Sequence, residues 1–316
     1  MPKVSGRPFG ASGPNLAMTV FCVRHSTVYR YRRPVGFGVH ELMFRPRDSY
    51  DQRLIDSRLV VEPRPGAVRW IHDVFGNCVA RVKIPGAARG LRFETRIRVE
   101  HLTDSGPDPE TDAAALVYPF AYGPEEAADL AATIRPHYPH DDVCRFAGRF
   151  VKPGGHTDTG RVLMTLCYAI HESFVYARRN APGTQQPALT LQLRRGTCRD
   201  FALLMMEAVR SLGLAARFVT GYVYVPDRDR GDVRGGGSTH AWCQVYLPGA
   251  GWVEFDPTNG IVGSRDLIRV GVARDPAQAV PLSGSYVGGA GDFEGMTVAV
   301  QVTREPAPAE PALSGA

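Results

Sequence analysis

From Thr19 to about His101 the chain carries short apolar stretches, alternating with polar positions and punctuated by Pro and Gly. A period of two is the pattern of half-buried strands, and it predicts strands at Phe21–Tyr31, Leu54–Glu62, Ala67–His72, Cys78–Ile84 and Leu91–Glu100. Residues 18–103 therefore read as a β-rich N-terminal domain. After a polar segment, taken as a linker over residues 104–124, the period changes. Pro124–Arg135 and Asp158–Ser173 carry apolar residues at helical spacing, with Val162, Leu163, Leu166, Ile170 and Phe174 on one side of the second. A third helix, Cys198–Leu212, is apolar almost all round and ends at Gly213, so it is expected in the interior.

Strands return at Arg217–Val225, Ala241–Leu247 and Trp252–Asp256. The fold class expected is α+β, an all-β domain followed by a core over residues 125–270 in which a buried helix packs on an antiparallel sheet. Residues 271–303 form a C-terminal extension whose last strand, Met296–Val302, is expected to return to the β domain. The Gly/Pro/Ser-rich residues 1–17 and the Pro/Ala-rich residues 304–316 are expected to be disordered, with Met18 an alternative start. The charged, Gly-rich loop Asp227–Ser238, which abuts His240, is expected to be mobile, a lid or a plain connector.

Composition narrows the function classes. The 316 residues are 44% hydrophobic and 22% charged, proportions of a globular protein. The net charge of +5 is mild, and no basic run is interleaved with aromatics, so nucleic acid is not an expected partner. No apolar run approaches the length of a membrane span, and no secretory signal is visible. The six cysteines form no CxxC pair, which argues against a zinc ribbon or a redox pair. A reducing cytoplasm, where thiols stay free, is the expected location.

Three segments carry candidate chemistry. In Arg194-Arg-Gly-Thr-Cys198-Arg-Asp-Phe, Thr197 can cap the helix and Asp200 can complete a capping box, which puts Cys198 on the first turn. A helix N-terminus favours negative charge by up to about 2 kcal/mol when partly buried, too little to make a nucleophile alone. A base must come from elsewhere. The second segment, Ser238-Thr-His240-Ala-Trp242-Cys243, sets His240 at a strand mouth with room to turn and near its ordinary titration range. The third, Gly251-Trp-Val-Glu-Phe-Asp256-Pro-Thr-Asn, forms a hairpin with the second. A three-residue loop pairs Leu247 with Gly251 and Trp242 with Asp256, which makes His240 and Asp256 diagonal neighbours on one face; a four-residue loop would separate them. Each segment alone also has a bland reading: a small buried cysteine, a structural histidine, a turn-forming aspartate. Together they supply nucleophile, base and orienting carboxylate.

The segments Gly196-Thr-Cys198-Arg-Asp-Phe-Ala, Thr220-Gly-Tyr222, His240-Ala-Trp242 and Trp252-Val-Glu-Phe-Asp256-Pro-Thr-Asn-Gly260 resemble the transglutaminase-like superfamily. Upstream, Arg24-His-Ser-Thr-Val-Tyr-Arg-Tyr and Asp73-Val-Phe-Gly-Asn77 look like the N-terminal region of its bacterial members. The resemblance implies a papain-like core in which the cysteine attacks a carboxamide or peptide carbonyl through an acyl-enzyme. It implies no metal or organic cofactor. Gln192 has the spacing from the cysteine that a papain-like oxyanion donor would have, while Arg199, Tyr222 and Trp242 are candidate substrate contacts. Arg194, Arg195 and Arg199 could attract an acidic peptide, or form a solvated face.

Hydrolysis of an amide, peptide or isopeptide bond in a peptide or protein substrate is the leading expectation. Acyl transfer to an amine and non-catalytic peptide binding are the alternatives. Zinc binding by Cys198, His240 and Cys243 is disfavoured, because His240 and Cys243 point to opposite faces of one strand.

Overall fold

The computed structural model describes residues 17–103, 111–154, 156–179, 183–225 and 239–305. Residues 1–16 of the expected leader, residues 306–316 of the tail, the whole loop Asp227–Ser238 and residues 104–110 of the expected linker lie outside the described residues.

The N-terminal alternation folds into six strands, β1 (Ala17–Phe37), β2 (His40–Leu42), β3 (Gln52–Glu62), β4 (Ala67–His72), β5 (Cys78–Lys83) and β6 (Ala87–Thr103). One sheet has the order β3, β6, β1, and a second has β4, β5, β2. The short β2 was not predicted, since three residues carry no readable period. Tyr31, Val35, Leu91 and Phe93 of the first sheet meet Leu42, Ala80 and Val82 of the second in a closed apolar cluster. The C-terminal extension completes both sheets. Leu282–Ser283 pairs with β2, Tyr286–Val287 pairs with β1, and the final strand Phe293–Arg304 runs antiparallel along β1 from Phe21 to Tyr31. The last strand thus returns to the β domain.

Among the described residues five α-helices follow: α1 (Pro124–Ile134), α2 (Asp141–Gly148), α3 (Thr159–Ser173), α4 (Pro187–Leu193) and α5 (Cys198–Ser211). The two unpredicted helices, α2 and α4, span eight and seven residues, too few turns to display a helical repeat. The C-terminal part of the expected linker is structured: Val117–Tyr118 pairs with Thr157–Asp158, and the Thr159 hydroxyl donates to the Ala115 carbonyl at 2.7 Å. The core sheet is antiparallel, in the order Ile261–Val262, Gly251–Asp256, His240–Leu247, Ala216–Val223, Leu267–Ala273. Its edge strand Leu267–Ala273 crosses residue 270, so the sheet extends beyond the expected boundary there. The sequence Leu-Ile-Arg-Val-Gly-Val-Ala mixes strand and turn residues, which hid it. The fold class is α+β.

The two regions share one core. Phe21, Val23, Ile97 and Val99, from the ends of β1 and β6, pack into the same cluster as Phe201, Met205 and Val209 of α5. Side-chain amides finish the joint. Gln52 donates to the Arg269 carbonyl at 2.8 Å and accepts from the Arg269 N–H at 2.9 Å, and Asn77 does the same for Val272 at 2.7 and 2.9 Å. These two amides satisfy the outer edge of the core sheet as a neighbouring strand would, closing an edge otherwise open to pairing. The Asp73–Asn77 motif serves this purpose, with Asp73 accepting from the Asn77 side chain at 2.8 Å.

Gly221 sits where the Ala216–Val223 strand shifts register against Leu267–Ala273. A Cβ there would lie 2.1 Å from the Ile268 carbonyl oxygen and 2.7 Å from the Trp242 ring, so only glycine fits. Replacing it with alanine forces backbone apart in a packed interior, a change of the overpacking kind that costs about 1–3 kcal/mol or more. Gly221→Ala is predicted to lower the urea midpoint accordingly, whereas Gly148→Ala, with open space around it, leaves the midpoint within experimental error.

Candidate active site

The N-terminus of α5 is fastened before any chemistry is considered. Thr197 is the N-cap and shares a capping box with Asp200. Asp200 is wholly buried. One of its oxygens accepts from the backbone N–H and hydroxyl of Thr197, both at 2.9 Å, and the other from the Gln185 N–H at 2.7 Å and Arg179 at 3.1 Å. Gly196 passes so close that a Cβ would lie 2.9 Å from that of Asp200. The Gly-Thr-Cys-Arg-Asp run is therefore a local device that holds Cys198, 6% exposed, as the first residue of a buried helix.

The hairpin has the three-residue loop. Leu247 pairs with Gly251 and Cys243 with Phe255, the register that brings His240 and Asp256 to one face. The His240 Nε2 lies 2.7 Å from an Asp256 oxygen, and both side chains are fully enclosed. Asp256 also accepts from the Asn259 amide at 2.8 Å and from the Thr258 N–H at 2.9 Å. The Asp-Pro-Thr-Asn turn thus saturates the carboxylate that the strand delivers. The imidazole stacks on Trp242 with ring centroids 5.9 Å apart, and the indole N–H donates to Glu254 at 2.5 Å. That leaves Nδ1, buried and without a hydrogen-bond partner among the described residues. Cys198 also interacts with the ring.

Burial disfavours charge on the ring, but the Asp256 carboxylate, helped by Cys198, outweighs it and pushes His240 up to about 10. Burial likewise works against charge on Asp256, yet His240, Asn259 and the Thr258 N–H hold its carboxyl below the usual range. The expectation of a loosely held histidine near its ordinary titration range does not survive: His240 is clamped and stacked, because its strand runs into the interior.

Cys198, His240 and Asp256 are brought together, with Trp242 stacked against the imidazole. Tyr222 is buried and its hydroxyl lies 3.0 Å from Nδ1 of His25, a histidine that burial pushes down to about 4. It joins the two regions. Trp242 is wholly enclosed beneath His240 and supports the ring without offering a surface. Arg199 donates to the carbonyls of Pro276 at 2.6 Å and Ala279 at 3.3 Å and lies over Phe218, so it ties down the C-terminal segment. Arg194 and Arg195 are exposed, as is Gln192 on α4. Cys243 faces away from the histidine and donates toward the Phe255 carbonyl at 3.5 Å.

Two residues escaped the sequence reading. Asn259 holds Asp256 and lies 3.3 Å from His240 Nε2, and its only signal was its place in a turn. Tyr176 sits opposite Gly196 in a short parallel pairing, Val175–Tyr176 with Arg195–Gly196, close enough to Cys198 to interact with it. Two-residue strands leave no pattern to find.

A cysteine at a helix N-terminus beside a histidine clamped by a strand carboxylate is the architecture of papain-like thiol sites. Residues 21–100 match the bacterial transglutaminase-like N-terminal region, and residues 147–257 match the transglutaminase-like superfamily core. An uncharacterized protein of Mycobacterium leprae is 30% identical over 301 residues, covering 89% of this chain and 98% of that one. One from Mycobacterium tuberculosis is 29% identical over 277 residues, covering 83% and 86%. A crystal structure described as "a Putative Cysteine Protease from Cytophaga hutchinsonii" superposes with a TM-score of 0.68 at 18% identity, over 93% of each chain. The chain belongs to the transglutaminase-like superfamily, in the bacterial form that joins this N-terminal region to the core, and the core suggests a cysteine enzyme.

The titration of the pair has a readable consequence. His240 is raised on folding above 6.5, so its contribution to stability is complete below that pH and is lost as pH climbs through about 10. Asp256 is lowered, so its contribution is present above 3.8 and lost on acidification. The stability difference between the native protein and His240→Gln, from urea midpoints, is predicted to be largest between about pH 4 and 6.5 and to shrink toward pH 10.

Proposed function

We propose that the protein is a thiol-dependent hydrolase of amide, peptide or isopeptide bonds, with Cys198 as nucleophile, His240 as base and Asp256 as the group that orients the histidine. The observation that carries this reading is one buried imidazole engaged from two sides: its Nε2 is committed to Asp256, and Cys198 interacts with the same ring.

In this reading the Cys198 proton rests on His240, whose imidazolium the Asp256 carboxylate stabilises, and the sulfur attacks the carbonyl carbon of the scissile amide. The negative oxygen that develops is met by the Cys198 N–H, one of the donors that a helix leaves unsatisfied at its first turn. As the carbon–nitrogen bond breaks, the imidazolium returns the proton to the departing amine and a thioester remains. Water then gives a proton to His240 and adds to the thioester, and loss of the sulfur yields the carboxylic product and the starting thiol. Asp256 stays ionised throughout and fixes the ring tautomer and orientation. The partner is a peptide or protein, and a reducing compartment such as the bacterial cytoplasm suits six cysteines that are all unpaired.

Iodoacetamide is expected to label Cys198 selectively below pH 7, ahead of Cys22 and Cys78, as read by peptide mass spectrometry. The preference should disappear in His240→Ala. Equal labelling of the three thiols, indifferent to His240, would leave a binding protein in place of an enzyme.

With a peptide amide found by screening, Asp256→Asn is expected to lower kcat/KM by about 10²–10⁴-fold. Mass spectrometry of the products should show the free carboxylate with or without an added primary amine. An amine adduct as the main product would make the protein an acyltransferase.

A further inference from the structure

A cavity of about 790 Å³ lies at the seam of the two regions, between the Arg47–Asp51 loop and the core sheet. None of Cys198, His240 and Asp256 lines it. Its floor is the line of polar side chains on the sheet, and most of these are paired. Glu254 accepts from Arg269 at 2.6 Å, Gln244 at 2.7 Å and Trp242 at 2.5 Å, while Arg269 also reaches Asp51 at 2.9 Å. These contacts leave Glu254 and Arg269 satisfied.

Arg217 is the exception. Its Nε donates to the Gln244 oxygen at 2.7 Å, and its guanidinium carbon lies 4.0 Å from the centre of the Trp252 ring. One nitrogen is tied and the plane is stacked, yet the two terminal nitrogens have no acceptor and no ion pair among the described residues. Burial pushes the group down to about 9; Glu254 opposes that shift, and Arg269 and Arg47 add repulsion. Arg47, at the exposed rim, donates one nitrogen to the Phe75 carbonyl at 2.7 Å and likewise lacks a carboxylate partner among the described residues. Asp48, beside it, has one oxygen on the Leu54 N–H at 2.5 Å. Phe75, Trp252, Val270 and Val272 supply apolar wall. A planar, pre-oriented guanidinium with a free fork, a second unpaired arginine and aromatic walls form a receptor for a small anion with an apolar body.

We propose that this cavity binds an organic oxyanion, a carboxylate or a phosphate monoester, held by Arg217 with Arg47 at the rim. The site is separate from the cysteine site, and the proposal does not rest on the reaction assigned there.

Isothermal titration calorimetry of the full chain with 3-phenylpropionate, phenyl phosphate and the neutral 3-phenylpropanamide tests it. At least one anion should bind one to one, with the amide weaker by about tenfold or more. The anion that binds better identifies the headgroup. Arg217→Met, which keeps the alkyl stem, should weaken that anion by about tenfold or more, and Arg47→Gln by several-fold. Saturation by neither anion, equal affinity for the amide, or an unchanged affinity in Arg217→Met overturns the proposal. If circular dichroism shows that Arg217→Met is misfolded, Arg47→Gln decides, since its exposed side chain is not needed for packing; an unchanged affinity there overturns the site.

Discussion

A carboxylate with no exposed surface must be compensated where it stands, and Asp256 is such a carboxylate. Removing one partner from a buried ion pair costs about 3–5 kcal/mol, so the groups around Asp256 are as constrained as the carboxylate itself. His240 must face it, which fixes the hairpin register. Asn259 and the Thr258 N–H must fold back on it, which fixes the turn after the strand. Trp242 must lie under the imidazole, and Glu254 must accept the indole N–H. From one buried charge follow the positions of a histidine, an amide, an indole and a second carboxylate.

The same pressure explains why the β region is built into the core. The sheet that carries His240 and Asp256 ends in the strand Leu267–Ala273, whose outer edge would be open. Gln52 and Asn77 close it with paired hydrogen bonds to Arg269 and Val272, and Asp51 takes one side of the Arg269 guanidinium while Glu254 takes the other. The β region is thus part of the structural support of the hairpin, and β1, paired with the final strand, ties both ends of the chain to it.

Burial also sorts the arginines. Arg199, Arg210 and Arg269 are each spent on carbonyls or carboxylates that join elements, as with Arg210 on Glu207 at 2.8 Å and on the Arg274 carbonyl at 2.7 Å. A buried guanidinium spent in this way is a structural cross-link. Arg217 departs from the pattern, with a stacked plane and a free fork facing a cavity.

The sequence by itself determined the α+β order of elements and the placement of Cys198 on the first turn of a buried helix, while it left the hairpin register between two loop lengths. Each rests on local signals: the period of two in β1 and β6, and the capping box of Thr197 and Asp200; the register was decided by the structure, which pairs Leu247 with Gly251. Only the tertiary structure decided the rest. The short α2, α4 and β2 take their form from their neighbours and have too few residues to show a period. Tyr222, Trp242 and Arg199 carried the chemistry of substrate contacts, but the face each presents depends on packing with segments distant in the chain, His25 of β1, Glu254 and Pro276. The titration of His240 was misjudged for the same reason, since a side chain's charge is set by depth and by partners, and neither is written in its immediate neighbours.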